Sequence, residues 1–254
     1  MGYSTDLTNQ QWWAIKRFFD VGKYGNRRKH TVRELLNAVL YLLKTGCQWR
    51  LLPNDFPPYS TVHTFYRRCR KNGIWEKIMV YIVKKKRKES GRKRQPSYGI
   101  LDSQSVKTAR KAEEVGYDGN KKIKGRKKHI STDTQSNLLH VKVHAANIHD
   151  TNIGGEIAKN TLEKYPKIKA FSADEGYRKT TENYIKNVLK KKIHISKKEM
   201  PWKILPKRWN VERTFAWLNN FRRLSKDYET TTDSQENMVM LSFSALALSG
   251  LKFS

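Results

Sequence analysis

Apolar positions follow two rhythms along the chain, and the change between them divides it. In the first third they recur at helical spacing. Trp12, Trp13, Ile15, Phe18 and Phe19 predict a helix over residues 7–20, with Asp6 or Thr8 to cap it. Gly22 and Gly25 break a basic loop after it. Val32, Leu35, Leu36, Val39, Leu40, Leu42 and Leu43 predict a second helix that stops at Gly46. Thr31 and Glu34 are spaced as its capping box. Phe56-Pro57-Pro58 makes a rigid turn, and Ser60 opens a helix over 61–72 that ends at Gly73. This helix carries Thr61, His63, Thr64, Arg67, Arg68, Arg70 and Lys71 among Val62, Phe65 and Tyr66. Such a unit reads either as a helix-turn-helix-like DNA reader with an unusually long turn, or as a helical bundle with solvated charges. Ile74, Trp75, Ile78, Met79, Ile82 and Val83 begin a further apolar helix.

A run of basic residues from Lys84 to Arg94, with Glu89 its one acid, is expected to be a linker over residues 84–96. It separates a helical region, 1–83, from the region 97–254. After Pro96 the apolar runs become short and strand-like. Tyr98 to Leu101 leads into Asp102. Residues 127–133 and 138–144 form a hairpin about the turn 134–137. Asp150 is expected to cap a helix over 151–164. A strand over 167–173 ends at Asp174, a helix covers 179–190, a short strand covers 192–195, and an apolar helix closes the chain at 233–251. This order predicts a mixed sheet with helices against it.

Residues 207–229 hold no Gly or Pro, and Pro206 precedes them at a helix start. At about 100° per residue, Val211, Phe215 and Leu218 face a core, and Glu212 lies at the edge of that side. Arg208, Asn219 and Arg223 fall near Glu212, while Trp209, Arg213 and Trp217 point away. Glu212 is then a metal ligand beside a phosphate backbone, or one acid of an amphipathic helix that pairs locally with Arg208.

Charge narrows the choice. Among 254 residues, 52 are Lys or Arg and 23 are Asp or Glu, a net charge of +29. An excess of that size points to a polyanion, nucleic acid first. No apolar run reaches the roughly 18 residues of a bilayer span, and the N-terminus lacks a basic segment followed by an apolar one. Membrane and secretion are therefore not expected. Cys47 and Cys69, with no CxxC spacing, suit a reducing cytoplasm.

In so basic a chain, metal ligands must come from few acids. Asp102 and Asp174 follow strands, where ligands bind at the carboxyl edge of such sheets, and Glu212 sits in the early turns of its helix. Converging, they would hold Mg²⁺ through oxygen donors, and two ions would serve an in-line displacement at phosphorus. Lys107, Arg208, Arg213 and Arg223 would neutralise phosphate. The bland alternatives are turn or capping acids, and Asp133, Asp150 and Glu175 are rivals. His140, Lys142 and His144 share one strand face near His149; a polar sheet face is preferred there over a histidine metal cluster. The glycine-punctuated basic stretch 116–128, including Lys127 and Lys128, lacks P-loop order. It reads as an arm that clamps a nucleic-acid backbone, or as a solvated loop.

Several motifs resemble one family nearly end to end. Asp6 to Trp12, Gly46-Cys47-Gln48-Trp49-Arg50-Leu51-Leu52-Pro53 and Phe56 to Val62 are similar to the N-terminal part of DDE transposases of bacterial insertion sequences, in the group of insertion sequences four and five. Asp102-Ser103-Gln104-Ser105-Val106-Lys107, with Gly116-Tyr117-Asp118-Gly119, resembles the family's first-Asp motif. Ala173-Asp174-Glu175-Gly176-Tyr177 resembles the second, and Val211 to Leu218 with Arg222-Arg223-Leu224 the third. The resemblance implies a ribonuclease H-like catalytic domain after an all-helical DNA-binding part. It implies Asp102, Asp174 and Glu212 as the catalytic, metal-binding triad, with two Mg²⁺ ions (or Mn²⁺). Its implied substrates are terminal inverted repeats and target DNA, joined through cleavage and strand transfer, with a homodimer holding two ends. Arg67, Arg68, Lys107, Lys127, Lys128, Arg208, Arg213, Arg222 and Arg223 are the candidate DNA contacts. A Tyr-Arg-Glu-Lys signature of related transposases is matched at Arg208 and Glu212. Leu205 and Asn219 replace its Tyr and Lys, and Arg222 or Arg223 is the substitute cation. The competing expectations are a metal-dependent nuclease without strand transfer and an inactive DNA-binding protein.

Overall fold

A computed structural model describes residues 2–19, 29–109, 111–196 and 208–251. Gly22, Gly25, Leu205 and Pro206 lie outside them, and of Arg208 only the backbone is described.

The N-terminal helices form where their caps and apolar stripes require. Helix α1 (Asn9–Ile15) starts at Thr8, whose capping box with Gln11 is complete, and a 3-10 turn (Lys16–Phe19) extends it. Helix α2 (Val32–Thr45) has the expected Thr31–Glu34 capping box and ends at Gly46, whose φ of 72° is left-handed. A Cβ at Gly46 would also crowd Arg222, so glycine is needed there twice over. Helix α3 (Tyr59–Lys71) buries Val62, Phe65, Tyr66 and Cys69 and exposes Thr61, His63, Thr64, Arg67, Arg68 and Lys71. Helix α4 (Ile74–Glu89) does not stop at 83. The first half of the expected linker is its last turns, because Arg87 is buried against Asp133 and anchors them.

Six strands follow: β1 (Tyr98–Lys107), β2 (Gly116–Asp118), β3 (Ile123–Thr132), β4 (Leu138–Ala145), β5 (Ala170–Asp174) and β6 (Lys192–Ser196). They form one mixed sheet. β1 is central, antiparallel to β3 and parallel to β5, and β6 lies parallel beyond β5. β4 and the short β2 share the far edge of β3. The basic stretch 116–128 is therefore no free arm. It is the β2–β3 hairpin, drawn in where Gly125 meets Val106: a Cβ there would lie 2.0 Å from the Val106 carbonyl oxygen.

Between β4 and β5 runs α5 (Asp150–Lys164). Asp150 is its first residue and His149 occupies the cap position, so Asp150 does not cap it as expected. The expected helix over 179–190 is a short helix, α6 (Thr180–Asn183), widening into a π-helical turn (Tyr184–Val188). The stretch 207–229 is also less regular than its composition implies. Helix α7 (Arg208–Asn219) ends, a 3-10 turn (Arg222–Leu224) follows, and the chain then bridges Thr108 through Asp227.

Helix α8 (Thr232–Ser249) is buried on nearly every side, which its all-round apolar sequence favours. It packs on α4, α2, α7 and β4. Leu36, Trp75 and Ile78 of the helical region share one hydrophobic core with Ile130, Phe171, Val211 and Phe243. The result is a ribonuclease H-like α/β fold with a helical N-terminal layer built onto it.

Candidate active site

Strand register decides which side chains meet. On β1, Asp102 pairs opposite Ile130 of β3, and Gln104 opposite Lys128. These even-numbered positions share one face of the sheet. Ile100 of β1 lies alongside Ser172 of β5. Two residues further on each strand stand Asp102 and Asp174, so both rise from that same face. Their strands stop pairing with each other at Ile100 and Ser172. β1 then continues along β3 while β5 ends at Asp174, so the two strands part at the carboxyl end of β5, the edge where such sheets commonly bind ligands.

Helix α7 packs against β1 and β3. Val211, Phe215 and Leu218 are buried beneath it as its periodicity predicts, while Trp209, Glu212, Ala216 and Asn219 form its exposed stripe. Glu212 thus stands on the exposed side of a helix whose other side is fixed in the core. Backbone amides orient the aspartates: the Ser103 N–H donates to Asp102 Oδ1 at 2.8 Å, and the Gly176 N–H donates to Asp174 Oδ1 at 3.0 Å. Among the described residues, no three His, Cys, Asp or Glu side chains close into a ready metal cage.

A second polar layer lies under the opposite face. There Ser103 and Ser105 of β1 stand opposite His129 and Lys127 of β3. The Tyr177 hydroxyl lies 2.6 Å from His129 Nε2, and His129 Nδ1 is 3.5 Å from His144 Nε2. Burial drives His129 down to about 3, so it is neutral and accepts the Tyr177 proton in hydrogen bonding. Burial, then the charges of Asp102, Asp150 and Asp174, push the Tyr177 hydroxyl well up, so it remains a donor. Lys127 donates to Asp150 Oδ1 at 3.1 Å and to the Ile148 carbonyl at 3.0 Å. Sequence reading missed the His129–Tyr177 pair because its members are 48 residues apart. The one local signal was that Tyr177 closes the second motif.

The candidate cations separate into two groups. Arg67, Arg68, Lys107 and Arg222 are exposed. Lys127, Lys128 and Arg223 are buried and correct the expectation that they contact DNA. Lys128 Nζ donates to the Leu224 carbonyl at 2.8 Å, and burial lowers its ammonium to about 8. Arg223 Nε donates to Glu229 Oε1 at 2.9 Å. Arg213 is half-buried: its Nε donates to Ser136 Oγ at 2.8 Å, and its guanidinium lies 4.9 Å from the Trp217 ring centre. Arg213 therefore ties α7 to the β3–β4 turn, and the Trp217 ring lies 5.4 Å from Lys86 Nζ of α4, so neither simply faces outward. Asp133 organises that turn by accepting from the Gln135 and Asn137 amides. His140 and His144 are buried beneath helix α5, with His140 Nδ1 2.6 Å from Lys164 Nζ, so they form no exposed polar face.

Comparison with known proteins bears on the same residues. Residues 93–248, more than half of the chain, match the family described as "Transposase DDE domain". Residues 7–79 match the family described as "Putative transposase of IS4/5 family". The uncharacterized protein y4sN of Sinorhizobium fredii (strain NBRC 101917 / NGR234) is 29% identical over 79 residues, 31% of this chain and 63% of that protein. The chain thus spans less than two thirds of that relative's length. The sheet order, the paired aspartates and the two family matches place the chain in the DDE transposase family, within its IS4/5 group.

Proposed function

We propose that the protein is a DNA transposase that binds the terminal inverted repeats of its own element, cleaves there, and joins the 3′ ends to target DNA. The observation that carries this reading is the position of Asp102 and Asp174 two residues beyond the last β1–β5 pair, with the Glu212 helix packed against β1 and β3. Three carboxylates give an all-oxygen donor set, which fits Mg²⁺, with Mn²⁺ as an alternative. When bound, a pair of such ions would activate the attacking hydroxyl or water and stabilise the leaving oxygen. The chain's own part is to hold Asp102 and Asp174 by backbone amides and to fix Glu212 through the buried side of α7. Lys107 and Arg222, both exposed, remain the candidate phosphate contacts of this domain.

Residues 1–83 are proposed as the DNA-recognition region. The outer face of α3, with Arg67, Arg68 and Lys71 beside Thr61 and Thr64, is its reading surface. Holding two element ends together calls for two copies, so a homodimer on DNA is expected.

The test uses purified protein, Mg²⁺ and DNA carrying the element's ends. Asp102→Asn, Asp174→Asn and Glu212→Gln are each expected to abolish cleavage while end binding persists. Cleavage retained in all three variants would overturn the assignment. Release of cut ends without joining would reduce the protein to a nuclease. Binding without any metal-dependent turnover in the native chain would make it a DNA-binding protein only.

A further inference from the structure

We propose that the cleft beyond the carboxyl end of β1 binds a single-stranded segment of DNA, stacking an unpaired base on Tyr117 between lysines. The proposal rests on the transposase reading and adds a second DNA-binding surface outside the triad. The cleft is open, about 600 Å³ in volume, and Lys107, Lys111, Lys122 and Lys124 line it, with no carboxylate among its described lining residues. Two apolar groups sit in the same wall. Tyr117 is 56% exposed and Val115 is 37% exposed.

The ring is held in place by its neighbours. Asp118, next in sequence, is buried; its carboxylate accepts from Ser105 Oγ at 2.6 Å and from the Asn120 and Lys121 amides at 3.1 Å each. That network fixes the β2–β3 turn. Residues alternate across a strand, so the inward Asp118 turns Tyr117 outward. Lysines around an outward aromatic ring are the combination that binds single strands: cations follow the backbone, and the ring takes a base face. A duplex offers cations its phosphates but keeps its base faces stacked inside, so Tyr117 and Val115 discriminate in favour of an unpaired strand. Position supports the link to the active site. Lys107 is five residues beyond Asp102 on one strand, roughly 17 Å at about 3.4 Å per residue. Tyr117 stands opposite Lys124, an even position of β3, so the ring belongs to the face that bears Asp102.

The experiment is fluorescence anisotropy of the full chain with labelled oligothymidylate and, separately, a blunt duplex, both in EDTA. Without metal no cleavage is read, so failure of the catalytic assignment and failure of this one give different results. Tyr117→Ala is expected to weaken oligothymidylate binding by roughly 5- to 150-fold, the range for removing one stacked base, and to leave duplex binding unchanged. Tyr117→Phe is expected to bind as the native protein does. The double change Lys122→Ala with Lys124→Ala is expected to reduce the salt slope of oligothymidylate binding by about 0.7 for each phosphate no longer neutralised. Thermal melting by circular dichroism establishes that each variant is folded. Equal loss of single-strand and duplex binding in Tyr117→Ala, or no loss of either, overturns the proposal. So does an unchanged salt slope in the lysine variant.

Discussion

His129 shows how a single residue couples this fold to pH. It is fully buried, its Nε2 accepts from Tyr177, and burial holds it neutral down to about pH 3. The unfolded chain protonates the same imidazole near its ordinary value of about 6.5. Below that value the unfolded state binds the extra proton, so the stability contributed by neutral His129 is complete above about pH 6.5. It is lost as pH falls toward 3, by at most about 1.4 kcal/mol per pH unit. Burial lowers His140 and His144 as well, and they act in the same direction. Glu236 opposes them: burial raises it to about 7, so it takes up a proton on folding and adds stability as pH falls from 7 toward its unfolded value. His63, lowered chiefly by burial, acts with these histidines, and Asp227, raised chiefly by burial, acts with Glu236. Four histidines against two carboxylates predict a lower urea midpoint at pH 5 than at pH 7. Glu236→Gln removes one of the opposing groups and is expected to steepen that fall. A midpoint independent of pH over this window would mean that the histidines are not held neutral.

At the scale of elements, α4 and the β3–β4 turn depend on each other. Arg87 donates through Nη1 to Asp133 Oδ2 at 2.5 Å and through Nε to the Lys93 carbonyl at 2.9 Å, and Asp133 is fully buried. Removing one member of a buried ion pair strands the other, at about 3–5 kcal/mol. Arg87→Ala is therefore expected to lose about that much stability in urea unfolding. A loss below about 1 kcal/mol would mean that Asp133 finds water instead. The same pair explains why the end of α4 was not legible. A run of lysines and arginines reads as solvated, and only the distant Asp133 makes one of them a core residue. Lys127, Lys128 and Arg223 misled for the same reason, since their partners Asp150, Leu224 and Glu229 belong to the tertiary fold. The β2–β3 hairpin was hidden by its glycines, which suggest a loop until Val106 is seen against Gly125. What was legible rests on local physics: the caps of α1 and α2, the core face of α7, and the strand that ends at Asp174. Asp102, expected to follow a strand, lies in the middle of β1, which pairs with β3 as far as Lys107. Once the β1–β5 register is known, two of the three candidate acids fall on one face without further assumption.

Over the whole molecule, α8 decides whether the helical region and the sheet behave as one unit or two. Its buried residues include Met238, Leu241, Phe243 and Leu248, and it lies between α4 and β4. Polar ties cross the same boundary. The Tyr66 hydroxyl donates to the Ser234 carbonyl at 2.9 Å, Arg70 Nε lies 3.1 Å from Asp233 Oδ2, and Lys44 Nζ donates to the Asn220 carbonyl at 3.3 Å. Splitting the chain at residue 96 would uncover an apolar face on both fragments, and neither would keep a complete core. The expected division at residue 96 is therefore no independent folding boundary; on the proposed function it separates recognition from chemistry. Calorimetry of the full chain is expected to give a single unfolding transition, with van't Hoff and calorimetric enthalpies equal. A fragment of residues 97–254 is expected to melt well below the full chain, since it loses the α4 side of α8. Two separable transitions, or a fragment as stable as the whole, would show that α8 belongs to the sheet alone. Recognition of DNA by α3 could then reach the catalytic face only through a mobile joint. With a single transition, α3 and the acid-bearing face are held at a fixed spacing, so on the proposed function the fold would set the distance between the recognised sequence and the cleaved bond.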